Sequence, residues 1–377
     1  MLKNKLKIAV AMSGGVDSSV AAKILKDQGH EVVGIFLHFW KEENPPNPIN
    51  PPNPLYQGGM TENKCCSTEA LLDARRVANK IGIPLYTLNF AKIFKKKVVD
   101  NFLLDYARGR TPNPCVVCNK FVKLGYLMKQ AKKLGFDYVA SGHYAINKNG
   151  NLFKAKDKNK DQSYFLYTFS KNELAQLIFP LGSYTKPQVR GLAKKFKLPV
   201  AEKKESQEVC FIPGKSHNDF LSRHLKLKPG KIKLMTLFNK GGKGDLKSLV
   251  IGEHKGLPLY TIGQRKGIEI GGTGPYYAAE MDYKKNILYV VNKPNDKFLF
   301  KNKLIANNVN WLSETEPKLP LKCEAVIRYH HKPAECTVIK NKKIYQVKFK
   351  IPQRAVTPGQ SVVFYKKNQV LGGGIIA

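Results

Sequence analysis

Acidic residues are scarce in this chain: 28 Asp and Glu face 64 Lys and Arg over 377 residues, leaving a formal charge of +36 at neutral pH. Arginine is sparse too, supplying nine of the 64 basic positions. Part of the excess is therefore a general richness in lysine, yet a field of this sign still attracts polyanions, RNA or DNA foremost. Long apolar runs are also missing. The longest, Val32 to Trp40, includes His38 and falls far short of the ~20 residues that a spanning helix needs. The start, MLKNKLKIAVAM, passes directly into Ser13-Gly14-Gly15 without a convincing cleavage pattern. It reads as the first buried strand of a cytoplasmic protein with no membrane partner. Cysteines number seven, an odd count that excludes a simple disulfide framework and leaves reactive or metal-binding thiols as alternatives.

What is present excludes disorder. At 42% hydrophobic and 10% aromatic residues, the chain has enough apolar mass for two or three domains of ordinary size. Up to about residue 205, strand and helix patterns alternate. Lys7 to Met12 is a short apolar strand, Val16, Val20, Ile24 and Leu25 share one face of a helix that Gly29 closes, and Glu31 to Phe39 is a second strand. Ser67 caps a helix through Ala70, Leu71, Ala74, Val77 and Ala78, IPLYTLNF is a strand, helices follow at Phe94 to Ala107 and Phe121 to Leu134, and Tyr138 to Ala145 is the next strand. Strands separated by helices imply a parallel sheet covered on both faces. Residues 44–59, NPPNPINPPNPLYQGG, are a long exposed loop, because their prolines remove backbone donors.

Beyond residue 205, short alternating runs dominate: LYTIGQRKGIEIGG, PYYAAEMD, NILYVV, CEAVIRYHH, AECTVIK, IYQVKFK and SVVFYK. They predict antiparallel strands and small barrels. The Lys- and Asn-rich residues 293–303 separate two β-rich parts. The expected organisation is thus an α/β domain over 1–205, a central β-rich domain over 206–292 and a C-terminal β-barrel over 293–377.

Three segments carry chemistry. Ser13-Gly14-Gly15-Val16-Asp17-Ser18-Ser19 lies between strand and helix, where glycines let the backbone approach a phosphate and the helix N-terminus supplies N–H donors. Serine hydroxyls add donors, and Asp17 suits a magnesium ion carried on the same phosphates. The Walker lysine and the GxGxxG spacing are both absent. A plain Gly-rich turn with a serine cap is the bland alternative. The second segment, Thr111-Pro112-Asn113-Pro114-Cys115-Val116-Val117-Cys118-Asn119, carries a CxxC that alone suits half a zinc site, a redox pair or coincidence. Adjacent Cys65 and Cys66 are awkwardly spaced to complete such a zinc site. The third, Ser206-Gln207-Glu208-Val209-Cys210-Phe211-Ile212, holds a cysteine that by itself is as well read as a small buried hydrophobe.

Read together, these segments resemble the tRNA-specific 2-thiouridylases, within the ATP pyrophosphatase-loop superfamily. SGGVDSSVAA, Cys65-Cys66-Ser67, GRTPNP-x-x-x-CNK, SGHYA, KDQSYFL, PLG-x-x-x-K-x-x-VR, S-Q-x-x-CFI, YTIGQRKG, IRY and PGQ occur in that family's order. The resemblance implies an adenine nucleotide alpha hydrolase-like N-terminal domain and ATP as co-substrate, with Mg2+ expected. It places ATP phosphates on Ala11, Met12, Ser13, Gly14, Gly15, Val16, Asp17 and Ser18, with Leu37 and Gly142 near the nucleotide. Cys118 takes the place of the nucleophilic cysteine and Cys210 that of the persulfide-bearing one. Asn113, Pro114 and Cys115 would lie beside the target base, and His143, Lys160, Asp161, Gln162, Arg328, Tyr329 and Gln360 would contact or position tRNA. The implied partners are tRNA and an upstream sulfur carrier or cysteine desulfurase. Two positions depart from the pattern: Cys115, where many relatives carry an Asp suggested to transfer a proton, and His330-His331, where Arg and Gln are frequent.

The implied reaction is intelligible from elementary chemistry. A uracil C2 oxygen leaves poorly, so it first attacks the α phosphate of ATP; sulfur from a cysteine persulfide then displaces AMP, and a second cysteine frees the product by forming a disulfide. Both thiols are expected to have low pKa values amid basic surroundings. Cys115, Cys118 and Cys210 are also compatible with an iron–sulfur cluster having one open iron, although persulfide exchange is the preferred reading. An amidating or ligating superfamily member, such as an argininosuccinate or GMP synthetase, shares the loop without requiring both cysteines. A basic RNA-binding protein that retains an ATP loop is the non-enzymatic alternative.

Overall fold

The computed structural model describes residues 5–42, 67–204, 209–212, 217–238, 245–268, 270–271, 274–342 and 344–377. The Pro/Asn-rich stretch 44–59, Cys65, Cys66, Ser206, Gln207 and Glu208 lie outside the described residues. Five strands, β1 (Lys7–Met12), β2 (Glu31–His38), β3 (Leu85–Asn89), β4 (Tyr138–Ser141) and β7 (Leu177–Ile178), form a wholly parallel sheet in the order β3-β2-β1-β4-β7. Ile8 to Met12 are each at most 4% exposed, which is why β1 is continuously apolar rather than alternating. Helices Val16–Asp27 and Thr68–Ile81 turn Val20, Ala21, Ala74 and Val77 inward. The second begins where expected, with Ser67 Oγ accepting from the Ala70 amide at 3.1 Å.

Two helical stretches widen into π turns, at Lys95–Val99 and Asn119–Lys123. The second continues from helix Pro114–Cys118 into Gly125–Lys133, so helix starts seven residues before the expected Phe121 (121 minus 114). At Gly125 a Cβ would sit 1.8 Å from the Lys120 carbonyl oxygen; only glycine permits this widened turn. The strand expected over Tyr138 to Ala145 stops at Ser141, because the chain turns there to lay Gly142 against the Asp17-Ser18 backbone.

In the second half, β8 (Gly230–Phe238), β9 (Asp245–His254), β10 (Tyr277–Asp282) and β11 (Ile287–Val291) form a sheet ordered β10-β11-β8-β9. The expectation of purely antiparallel pairing fails at β11 and β8, which run parallel; β9, β10 and the turns between them supply the long connection such a pair requires. YTIGQRKG is likewise a turn rather than a strand. Gly263 and Gly267 take φ of +84° and +80°, while Gln264 accepts from the Thr261 amide and donates to the Lys266 carbonyl.

Six antiparallel strands close the C-terminal barrel: β12 (Phe300–Trp311), β13 (Leu321–Val326), β14 (Ala334–Asn341), β15 (Ile344–Arg354), β16 (Ser361–Lys366) and β17 (Gln369–Ile376), with β17 pairing back to β12. Its first strand begins at Phe300, inside the segment expected to be a linker. A hairpin from the first half, β5 (Ile146–Lys148) and β6 (Asn151–Phe153), extends this sheet through Phe153 opposite Gln369. Tyr164 Oη also donates to the Ser361 carbonyl at 2.9 Å. The barrel is therefore fastened directly to the half that holds the parallel sheet.

The central part is held by helix His217–His224, whose Phe220 packs on Phe211 and Phe102. Glu42 receives Arg223 Nε at 3.0 Å, Arg223 Nη2 at 2.8 Å and a His224 Nε2 contact at 2.8 Å. Burial pushes the Glu42 carboxyl up, but the Arg223 and His224 hydrogen bonds and charges outweigh it and the net shift is downward. A carboxylate held below its ordinary range stabilises above that range and loses its contribution as pH falls through the lowered value. Glu42→Gln should therefore cost about 2 kcal/mol at neutral pH, with the difference from the parent shrinking in acid. Thermal unfolding of both proteins across that pH range checks this; an equal deficit at every pH would contradict it.

Candidate functional site

Strands β2 and β4 lie on opposite sides of β1, so the chain leaves β1 in one direction and returns on the other. In open parallel sheets this reversal makes a crevice at the carboxyl ends of the two central strands. Ser13-Gly14-Gly15 ends β1, and Gly142-His143 ends β4. The helix starting at Val16 has Gly15 at its cap position and no side-chain cap, leaving first-turn N–H groups to meet an anion. Gly14 has φ +68°, and a Cβ there would lie 2.1 Å from the Ala70 carbonyl oxygen. A Cβ at Gly142 would lie 2.7 Å from both the Asp17 carbonyl carbon and the Ser18 amide. Both glycines let three backbone segments converge.

The loop serines work mainly within the loop. Ser18 Oγ accepts from the Ser13 amide at 3.2 Å and donates to the Gly15 carbonyl at 3.2 Å, and Ser19 Oγ donates to that carbonyl at 2.8 Å. Asp17 is held by Lys186 Nζ at 2.7 and 2.8 Å and by Tyr144 Oη at 2.8 Å. Lys186 was visible in the PLG-x-x-x-K motif, but its pairing with Asp17 across 169 positions required the fold. Around this loop lies a cavity of about 690 Å³ that also presents Gly142, Asn159, Lys160, Lys186, Lys203, Lys204, Tyr329 and His330.

A second cavity, about 220 Å³, is lined by Met12, Leu37, Phe39, Phe94, Pro114, Cys115, Cys118, Cys210 and Phe211 among others. The two share Ala11, Ser13, Lys123, His143, Gln162 and Phe165. The fold thus brings Cys118 and Cys210, 92 positions apart (210 minus 118), to one apolar chamber beside the phosphate-type loop. Cys118 ends the helix capped by Asn113. Gln360 Nε2 donates to the Thr111 carbonyl at 2.9 Å and the Pro112 carbonyl at 3.2 Å, so the barrel braces this cysteine loop. Phe211, 1% exposed, stacks edge-on to Phe94 and Phe102 and anchors the Cys210 segment. None of the described cysteines forms a disulfide.

The expectation of an acidic thiol does not hold at Cys118. Burial, then the Cys210 thiol, pushes Cys118 up, and Lys123 only partly opposes this. Cys115 is exposed into the chamber yet closely surrounded by protein, which with Cys210 raises it to about 11; solvent in the chamber tempers that penalty. A raised thiol pKa means a protonated sulfur at neutral pH and more thiolate as pH rises. Iodoacetamide should therefore modify Cys118 slowly at neutral pH, with a rate rising about tenfold per pH unit. Peptide mapping of timed samples checks it, and a rate already level below neutral pH would contradict it.

The other expected residues are placed as follows. His143 is 5% exposed, its Nδ1 is 2.8 Å from Ser141 Oγ, and burial with Lys123 holds its imidazole well below the usual range. Gln162 Oε1 accepts from the Tyr144 amide at 3.0 Å. Asp161 faces inward, accepting from the Ala155 and Ser163 amides and from Ser163 Oγ; it shapes the loop that carries the half-buried Lys160. Arg328 Nη2 donates to Thr357 Oγ1 at 3.0 Å, and Tyr329 packs on Phe165 with ring centres 4.4 Å apart. Sequence reasoning missed Lys123, Lys203 and Lys204, which carry no local motif separating them from surface lysines, and it gave no role to Tyr144 although that residue lies within SGHYA.

Asp17 fits a magnesium ion delivered on phosphates, since one carboxylate plus phosphate oxygens and water is an ordinary Mg2+ environment. Among the described residues no group of three or more His, Cys, Asp or Glu side chains is arranged to hold a metal. The three thiols of the chamber therefore share a cavity without forming a ready ligand set for an iron–sulfur cluster.

Comparison with known proteins agrees with this architecture. Residues 6–214 match the tRNA methyl transferase HUP domain, 218–292 the tRNA methyl transferase PRC-barrel domain and 301–376 the aminomethyltransferase beta-barrel domain. The chain is 43% identical over 380 residues to the tRNA-specific 2-thiouridylase MnmA of Carboxydothermus hydrogenoformans, covering 98% of this chain and 97% of that one. It is 43% identical over 378 residues to tRNA-specific 2-thiouridylase MnmA 2 of Clostridium tetani, covering 99% of each. With the Legionella pneumophila MnmA the identity is 41% over 382 residues, covering 99% and 98%.

Proposed function

The chain belongs to the tRNA-specific 2-thiouridylase family, and from that premise we propose how its own residues divide the ATP-dependent conversion of a wobble uridine to 2-thiouridine. The observation that carries the proposal is the continuity of the phosphate-loop cavity with the chamber of Cys118 and Cys210, through the six residues that line both.

The N–H groups of Gly15 to Ser18 hold the ATP phosphates, Lys186 adds a positive charge, and Asp17 is the residue that would hold Mg2+. Bound there, the ion would supply charge neutralisation on the phosphates. Ala11, Met12, Leu37 and Gly142 shape the nucleotide's seat. Asn113, Pro114 and Cys115 border the target uracil, with His143 and Gln162 at the shared wall and Lys160 on the phosphate-loop side. The uracil C2 oxygen attacks the α phosphate, pyrophosphate leaves and the N3 proton is lost, giving an O2-adenylated base. The terminal sulfur of a Cys210 persulfide then attacks C2 and expels AMP. Cys118 attacks the Cys210 sulfur, so that two thiol sulfurs are oxidised to a disulfide while the transferred sulfur is reduced and leaves on the base. The elevated Cys118 thiol fits a resolving group deprotonated only when its turn comes.

Sulfur reaches Cys210 from an upstream carrier or a cysteine desulfurase. The +36 charge draws tRNA toward the surface bearing Lys160, Arg328 and Tyr329, while Asp161 and Gln360 act by holding loops. Among the described residues no helix is long and apolar enough to cross a membrane, and we place the enzyme with its tRNA in the cytoplasm. Incubation with ATP, a persulfide-generating sulfur donor and unmodified tRNA, followed by nucleoside mass analysis, should show one oxygen replaced by sulfur at the wobble uridine. Pyrophosphate release without sulfur gain would favour a ligase-like reaction, and tRNA binding without turnover a passive RNA-binding role.

A further inference from the structure

The barrel contains a second pair of thiols that the thiolation reaction does not use. Cys323 on β13 stands directly opposite Cys336 on β14 in the antiparallel register, and their sulfurs are 3.6 Å apart. Cys336 is buried at 6% exposure, whereas Cys323 is half-buried and is the sulfur a reagent reaches first. Directly opposed residues of an antiparallel pair have Cα atoms about 4.5–5.5 Å apart, within the span a disulfide bridges. To bond, the sulfurs must close from 3.6 Å to about 2.05 Å.

The position of the pair matters as much as its geometry. The segment between β13 and β14 carries Arg328, Tyr329, His330 and His331, and Tyr329 and His330 line the phosphate-loop cavity. Cys323 and Cys336 are the middle of the five register pairs of a hairpin whose tip reaches the active site. The next register pair is Glu324 opposite Glu335, two like charges that work against pairing. Lys350 relieves Glu335 at 2.9 Å. A covalent link one step away would secure a hairpin that its own charges loosen.

We propose that Cys323 and Cys336 are a reversible dithiol–disulfide site, separate from Cys118 and Cys210, that reacts with low-molecular-weight disulfides and staples the hairpin presenting Tyr329 to the active site. The Cys323 thiolate attacks a glutathione disulfide, releasing one glutathione and forming a mixed disulfide. Cys336 then loses its proton and attacks the Cys323 sulfur, expelling the second glutathione. Two electrons pass to the reagent, and both protein thiols end as one cystine. The hydrogen shared between the sulfurs, with burial, holds Cys336 protonated in the dithiol, which leaves the first attack to Cys323.

The test uses the full chain with Cys65, Cys66, Cys115, Cys118 and Cys210 all replaced by serine, so that Cys323 and Cys336 are the two thiols it retains. Oxidised glutathione should remove two titratable thiols, a non-reducing peptide map should join the Cys323 and Cys336 peptides, and dithiothreitol should reverse both. Oxidation should raise the unfolding temperature by about 5 °C, and adding Cys323→Ser should abolish that rise. In the chain with its active-site cysteines intact, Cys323→Ser should thiolate tRNA within about twofold of the parent, which separates this site from the reaction itself. Retention of both thiols after prolonged exposure to oxidised glutathione, or stable mixed disulfides without a Cys323–Cys336 link, would overturn the proposal.

Discussion

Replacing Cys210 by serine should lower tRNA thiolation by about 10³-fold or more and leave the protein unable to accept transferable sulfur, whereas Cys118→Ser should accept sulfur yet fail to complete turnover. The asymmetry follows from the roles. A persulfide must form before anything can be transferred, and only afterwards is a second thiol needed to break the sulfur–sulfur bond. Neither change should disturb the fold. Phe211, not Cys210, anchors its segment in the aromatic cluster, and the helix bearing Cys118 is capped by Asn113 and continued by the Asn119–Lys123 turn. The contrast is read by following labelled sulfur onto each variant by mass, with tRNA affinity measured on the same preparations. Thiolation at the parent rate by both variants would leave these cysteines as packing residues only.

How far the sequence reaches can be judged from particular residues. The β1–loop–helix unit was legible because its signals are local: an apolar strand, two glycines and an uncapped helix start within a dozen positions. Ser67 and the helix it caps were legible for the same reason. The thiol chamber was legible only through the order of motifs, since nothing local brings Cys210 to Cys118. What remained hidden depends on distant pairing. Lys186 meets Asp17, Gln360 braces Thr111 and Pro112, and β6 pairs with β17. The low thiol pKa was misjudged for a related reason. Net charge is a property of the whole chain, whereas the Cys118 thiol responds first to its own burial. The basic field is spread over exposed lysines and screened by water, so it does not reach an enclosed sulfur with the same strength.

Loss of either member of the Asp17–Lys186 pair should remove adenylation while sparing tRNA affinity. We expect Asp17→Ala and Lys186→Ala each to reduce ATP-dependent pyrophosphate release by about 10²- to 10³-fold, the scale of losing one charged contact to a reacting phosphate. Lys186 is 8% exposed, and a lysine so enclosed is costly unless its charge is met. In this structure Asp17 meets it; when phosphates arrive, they offer a second anion to the same ammonium group, and Asp17 becomes available to a magnesium ion carried with them. The pair therefore holds both charges ready in the absence of nucleotide and puts each to use in its presence. Because the two act on one set of phosphates, the double variant should be little worse than either single one, whereas independent contributions would multiply. tRNA binding rests on a dispersed, salt-sensitive basic surface, so its affinity should change by less than about threefold. Pyrophosphate release and tRNA binding measured on one preparation of each variant separate these effects. Full pyrophosphate release by Asp17→Ala would remove the loop from the mechanism, and a multiplicative double variant would show that Lys186 serves some purpose other than partnering Asp17 at the phosphates.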